Sequence, residues 1–388
     1  MADTTYLNWP FFEDKHREFA RRIDAWAARE IGTEVHSHAD LDADCRHLVR
    51  ILGEAGLLDH VVPAQGPSEL DVRMICIARE TLARYSSLAE VMYAMQGLGT
   101  APITLFGGPE IREQYLPSVR AGRTIAAFAL SEPEAGSDVA SMATTATRVS
   151  GGWRIDGMKT WISNGGIADH YVVFARTGEA PGAKGISAFV VDANTPGLSI
   201  AARLEVISPH PIATLRFEDC VIPQERLLGN PGEGFKVAMA TLDVFRSTVG
   251  AAALGLARRA MDEAMHRAAT RIVMQRPLFE QQLIQGKIAD MAVAIDTSAL
   301  LVYRAAWTRD VLKQRITRES SMAKLYSTEA AQRVIDEAVQ MFGGLGVTKG
   351  VKVEALYRDI RAMRIYEGAS EVQRVIIARQ TMAAAKNA

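Results

Sequence analysis

The chain has 388 residues, 48% hydrophobic and 23% charged, the balance of a globular protein too long for a single core. Its 44 Lys and Arg nearly cancel 45 Asp and Glu, leaving a formal net charge of -1 and no basic field for nucleic acid or an anionic membrane. Cys45, Cys76 and Cys220 show no CxxC spacing and the eight histidines no HExxH, so free thiols in a reducing compartment are expected and a metal site is not.

The first residues, MADTTYLNWPFFEDKHREF, carry acids early and no apolar run, which argues against a signal or transit peptide and sets a cytoplasmic location as the expectation. From about 11 to 120 the period is helical: Phe19, Ile23, Trp26 and Ala27 recur at that spacing, as do Leu48, Ile51 and Leu52. Val72 to Tyr85 repeats it, and Pro102 and Pro109 are expected at helix boundaries. His36 and His38 stand in a polar stretch between these runs. Between about 121 and 228 come short β-rich runs, WRIDG, HYVVFAR, ISAFVVD and LRFEDCVIP, whose close-spaced turns predict an antiparallel sandwich or barrel. GGWRIDG (Gly151 to Gly157) reads as a strand bounded by glycine turns. Helical period returns at Gly234, with runs over Phe235 to Thr270, from near Gln281 past Trp307, and from about Ser320 to Phe342. Their wide apolar faces suit a bundle that buries most of its surface or oligomerises, and none is an unbroken apolar span of about 18 residues. The chain is therefore expected to be mostly α with a middle β-domain, divided at 1–120, 121–228 and 229–388.

Standard nucleotide signatures are missing. GNPGEG and FGGLGVTKG are not GxGxxG after a strand, there is no Walker sequence, and GxSxG is absent. Two polar clusters remain in the β-region, ALSEPEAGSD (129–138) and GMKTWISNGG (157–166). Either can be an ordinary turn. The first also offers hydroxyls and backbone N–H groups to a ligand with carbonyls and phosphates, and Trp161 would be partly wet unless something flat stacks on it. Near the C-terminus, RIYEGASEVQ (364–373) sets Glu367 just before a helix, with Gly368 permitting a sharp turn and Ser370 and Gln373 at capping-box spacing. Taken alone, Glu367 reads as a solvated acid.

Together these segments resemble the acyl-CoA dehydrogenase family of flavoproteins. ALSEPEAGSD is similar to that family's TEPxAGSD, GMKTWISNGG to its GxKxWITNG, and GEGFKVAM, QMFGGLGVTKG and RDIRAMRIYEGASEVQRVIIARQ follow in family order. The resemblance is dense from about 110 to 380. It implies an N-terminal helical domain, a middle β-barrel and a C-terminal four-helix bundle, FAD as cofactor, and an acyl-CoA thioester as substrate. Glu367 matches the base that removes the thioester's α-proton while the β-hydrogen leaves as hydride to flavin N5. The thioester carbonyl would be held by the Glu367 N–H and a flavin ribityl hydroxyl. By the same resemblance Phe128, Leu130, Ser131 and Ser137 line the flavin, Trp161 packs on its ring system and Ser163 hydrogen-bonds near N5. Ser137, Asp243, Arg246, Tyr366 and Gly368 lie near substrate. Arg271, Gln282, Gln340 and Gly344 would hold the FAD of a neighbouring subunit, with Glu371 near the adenine. A homotetramer or homodimer, fatty acid metabolism and an electron-transfer flavoprotein as acceptor are implied as well.

The chain departs from the family twice. RIVMQRPL puts Met274 and Gln275 where relatives carry Phe-Gly after the arginine matched by Arg271, with Met expected as a packing substitute. SPHPIATLRF (208–217), expected near the active-site rim, lacks the usual arginine and Ser-Asp-Thr turn. Phe245 stands where some subfamilies keep their base, which leaves that role to Glu367 and suggests a pocket for short or compact acyl groups. Alternative readings on the same fold are an oxygen-using oxidase, an enzyme for carrier-protein thioesters or nitroalkanes, and a non-enzymatic flavin-binding relative.

Overall fold

The computed structural model describes residues 3–33, 39–64 and 66–386; His36 and His38 lie outside the described residues. Helices α1 (Asp14–Glu30), α2 (Leu41–Glu54), α3 (Val72–Tyr85), α4 (Ser87–Phe106) and α5 (Pro109–Arg120) come first. Strands β1 (Ala126–Ala129), β2 (Thr145–Val149), β3 (Gly152–Ser163), β4 (His170–Arg176), β5 (Ile186–Asp192), β6 (Leu198–Arg203), β7 (Ile212–Pro223) and β8 (Leu227–Leu228) follow. Next are α6 (Gly234–Thr270), a hairpin of β9 (Ile272–Val273) and β10 (Arg276–Pro277), then α7 (Gln282–Asp310) and α8 (Thr317–Phe342). The chain ends with α9 (Lys352–Met363) and α10 (Ser370–Lys386). The described residues form two compact units, one drawn from 1–37, Asp71–Glu90 and 243–388, the other from 38–70 and Val91–Leu242.

The first unit is helical. α1 buries Phe19, Ile23, Trp26 and Ala27, the stripe that helical spacing selects. α3 has the bounds predicted for it, starts where the Asp71 side chain accepts from Met74 N at 3.2 Å, and is buried from Val72 to Ala83. α8 packs against α7, α9 and α10. By length and mean hydropathy α6 could cross a membrane, but 83% of its apolar window is buried, as in the core helix of a globular protein.

The second unit holds a sheet of order β6-β7-β3-β2-β4-β5-β8, with β1 alongside β4. The sheet is mixed, not wholly antiparallel, because β1 runs parallel to β4 and β2 touches β4 in parallel at Thr145 and Arg176. β3 also continues through Gly157 to Ser163, so most of GMKTWIS is strand and Gly157 marks a bulge, not a terminal turn. Gly157 has φ 144°, and a Cβ there would lie 2.6 Å from the Thr144 hydroxyl. Pro109 opens α5, as expected of a boundary, whereas Pro102 lies inside α4. There Ala101 and Ile103 are buried, and side-chain packing offsets the hydrogen bond the proline ring removes.

Candidate active site

Between α9 and α10 the backbone turns through two successive left-handed residues, Glu367 at φ 53° and Gly368 at φ 91°. Glycine adopts that conformation freely, but a glutamate there costs roughly 1–2 kcal/mol and persists only when its surroundings hold it. Three side chains do so. Gln373 Nε2 donates to the carbonyls of Glu367 (3.2 Å) and Gly368 (3.0 Å), and Lys324 Nζ on α8 donates to the Gly368 carbonyl (2.8 Å). Ser370 Oγ donates to Glu329 Oε1 (2.6 Å), whose other oxygen pairs with Arg364 at 2.9 Å. The predicted capping box is thus replaced. Ser370 is already the first residue of α10, and the Gln373 amide grips the carbonyls before the helix.

Glu367 is half-buried as a residue, yet its Oε2 is sealed from solvent and accepts no hydrogen bond among the described residues. Burial pushes its pKa above the usual carboxylate range; Arg79, Lys324 and Arg246 pull it down, and Glu90 pushes it up. Arg79 is itself buried, donating from Nε to Glu90 Oε1 (2.5 Å) and from Nη1 to Thr248 Oγ1 (2.7 Å). Burial takes the Lys324 ammonium down to about 8, with Glu367 the foremost charge opposing that fall. Arg246 is buried and donates to Asp243 Oδ1 one turn away (3.0 Å), while Thr317 donates to Asp243 Oδ2 (3.0 Å). Tyr366 is half-buried. A desolvated carboxylate with unused lone pairs among three cations is equipped to take a proton.

In the second unit both polar clusters come together. Thr160 N donates to Ser131 O (3.0 Å), and buried Lys159 donates to Leu130 O (3.1 Å) and Glu132 Oε1 (2.8 Å). Glu132 also accepts from the backbone N–H groups of Ala143 (2.6 Å) and Thr144 (3.0 Å), so the loop's first glutamate is structural. Phe128 and Leu130 are buried, Ser131 is half-buried and Ser137 exposed. Trp161 sits at a second break in the β3 register with φ 54° and is 56% exposed, a large flat ring left uncovered. The Ser163 hydroxyl lies 3.4 Å from His210 Nε2, and His210 Nδ1 lies 3.0 Å from Ser208 O. A carbonyl only accepts, so Nδ1 carries the ring proton; burial lowers the His210 pKa, and the neutral ring's Nε2 then accepts from Ser163.

Arg271, Gln282, Gln340 and Gly344 are all exposed at one end of the bundle, where Arg267 lies 5.5 Å over the Phe342 ring and Lys287 pairs with Glu337. Glu371 is exposed on the first turn of α10. That bundle end is remote from Glu367, because Lys324 and Gln340 are separated by about 24 Å along α8 at 1.5 Å per residue. Met274 and Gln275 form the two-residue turn of the hairpin with φ 50° and 66°. Met274 is 84% exposed, so within the chain it is a turn residue and not the packing substitute expected of it.

Sequence reading missed Arg79, Glu90, Lys324 and His210, and it marked Gln373 only as a capping residue. Lys324 carried a faint signal: with Ser320, Ser327 and Ala331 it shares the three-and-four spacing of one buried face of α8.

The chain matches the family models described as acyl-CoA dehydrogenase N-terminal domain over residues 13–123, middle domain over 127–220 and C-terminal domain over 232–382. It belongs to the acyl-CoA dehydrogenase family, whose members are FAD-dependent flavoproteins, and it is an enzyme of that class. Among its relatives, the mitochondrial short-chain specific acyl-CoA dehydrogenase of Rattus norvegicus is 42% identical over 334 residues, 85% of this chain and 81% of that one. The butyryl-CoA dehydrogenase structure from Megasphaera elsdenii superposes with a TM-score of 0.89 at 30% identity, covering 96% of this chain and 99% of that one. A chain from a structure described as the electron transferring flavoprotein of Acidaminococcus fermentans gives 0.88 at 32% identity, covering 95% and 98%.

Proposed function

We propose that the protein oxidises an acyl-CoA thioester to its trans-2-enoyl-CoA, with Glu367 as the base that removes the α-proton. The observation that carries this reading is the sealed Glu367 oxygen, which accepts no hydrogen bond among the described residues and stands on a left-handed turn held from α8 and α10.

An α-proton beside a thioester is weakly acidic, so its removal needs a base of raised pKa and stabilisation of the oxygen that becomes negative. Burial gives Glu367 the first property. Among the described residues no backbone carbonyl accepts from the Glu367 N–H, and a donor there to the thioester oxygen would contribute roughly 3–4 kcal/mol, as in comparable oxyanion sites. Arg79, Lys324 and Arg246 keep a share of Glu367 ionised and ready to accept the proton.

The donor sets fit FAD. Trp161 offers an uncovered flat ring, Ser131 and Ser163 offer hydroxyls beside it, and Arg271, Gln282 and Gln340 suit a diphosphate and an adenosine. When bound, FAD supplies the hydride acceptor for the β-hydrogen. The distance of the Arg271 group from Glu367 along α8 supports an assembly, a homodimer or homotetramer, in which that group serves a neighbouring copy's flavin. Domains at 1–120, 121–228 and 229–388, a cytoplasmic location and a flavoprotein acceptor complete the reading, the last supported by the Acidaminococcus fermentans structure. Short acyl groups are the favoured substrates, supported by buried Phe245 beside Arg246 and by the short-chain and butyryl-CoA relatives. Anaerobic mixing of the yellow protein with a panel of acyl-CoAs tests this. Bleaching of flavin absorbance is expected with short chains, and its absence across the panel contradicts the proposal.

A further inference from the structure

We propose that Lys324 is a positioning residue for Glu367, holding through the Gly368 carbonyl the left-handed turn that presents the carboxylate. The inference rests on the reading of Glu367 as base.

Lys324 is fully buried on α8, among Ser320, Ser321, Ala323, Ser327, Thr328 and Ala331. An ammonium in such a place is costly, and a methionine would fill the volume without desolvating a charge. The Lys324 Nζ donates to the Gly368 carbonyl at 2.8 Å. That carbonyl follows the strained Glu367 backbone directly and also accepts from Gln373, which holds the Glu367 carbonyl as well. Two donors from two helices therefore pin one turn. Gln373 does so without charge, whereas Lys324 adds a cation facing the carboxylate.

The charged and titratable groups facing Glu367 are Arg79 on α3, Glu90 on α4, Arg246 on α6, Lys324 on α8 and its neighbour Tyr366. Lys324 in turn faces Glu329, Glu371 and Arg246. Lys324 donates to the turn itself, through the Gly368 carbonyl at 2.8 Å. Its removal takes away both the restraint on the turn and one positive charge, and the carboxylate then holds its proton to higher pH.

The test uses the FAD-loaded enzyme and follows anaerobic flavin reduction by a short acyl-CoA across pH, with FAD content and Tm recorded for every variant. Lys324→Met is expected to keep FAD, to slow reduction by about tenfold or more, and to move the acid limb of the rate profile to higher pH. Lys324→Arg should restore the limb, and Gln373→Leu should slow reduction with the limb unmoved. A Lys324→Met enzyme whose limb stays at the wild-type position overturns the inference, whatever its rate. If that variant does not fold, Lys324→Gln replaces it, with the same expected shift and the same contradicting result. Glu367→Gln separates the two layers: full reduction in that variant defeats the base assignment, whereas an inert Glu367→Gln beside an unshifted Lys324→Met defeats only the role of Lys324.

Discussion

Arg79 Nε and Glu90 Oε1 lie 2.5 Å apart, fully buried, and the arginine of this pair is the cation that acts most strongly on Glu367. A buried pair of this kind contributes little net stability, but breaking it strands a charge. Arg79→Met is predicted to lower unfolding free energy by about 3–5 kcal/mol at neutral pH, and Arg79→Met with Glu90→Leu to recover most of that loss. Urea unfolding of the two variants measures both, and equal instability of the single and double variants contradicts the pairing.

Glu367→Gln is predicted to raise stability at neutral pH while abolishing turnover. The folded-state pKa lies above the unfolded one, so between those two values the native protein binds more protons than the unfolded chain. Stability therefore falls as pH rises through that window, and the penalty persists above it. A neutral amide escapes the penalty. Thermal unfolding should show a higher Tm for the variant at pH 7 and a smaller difference well below the carboxylate range.

Trp161→Ala is predicted to change unfolding free energy by no more than about 0.5 kcal/mol, because the ring is 56% exposed and little core is lost. Its effect falls on cofactor retention. The variant should purify with reduced FAD content and require added FAD for reduction, and full retention would remove Trp161 from the flavin site.

Lys159→Met is predicted to destabilise the protein by about 3–5 kcal/mol by stranding Glu132, and to free the Leu130–Ser131 stretch that Lys159 holds. Glu132 is paired so that, although burial opposes it, its pKa is held below the usual range. Stability from this carboxylate is present above its unfolded pKa and is lost as pH falls through its folded one. Glu132→Gln should accordingly flatten the acid side of the stability profile.

Turnover should fall as the acyl chain lengthens from butyryl to octanoyl to palmitoyl, given Phe245 fully buried beside Arg246. Comparable turnover of the two longer thioesters without activity on the short one contradicts the proposed preference for short acyl groups.

The helices were legible because their burial follows a simple period, as at Phe19, Ile23, Trp26 and Ala27, and α3 has its predicted bounds. β3 was read short because bulges at Gly157 and Trp161 interrupt the alternation that marks a strand. Pro102 misled because a local helix-breaking rule was overridden by buried packing. Glu367 was marked by its resemblance to family members and not by composition, since an acid before a helix is ordinarily solvated. Arg79 and Glu90 were invisible, and Lys324 all but so, for the same reason: charged residues in helices read as surface until tertiary contacts bury them.

The most direct test is anaerobic mixing of FAD-loaded wild type and Glu367→Gln with butyryl-CoA, followed by flavin absorbance. The wild type should bleach within the mixing experiment while the variant binds FAD equally and stays yellow. Equal bleaching of both contradicts the assignment of Glu367 as the base.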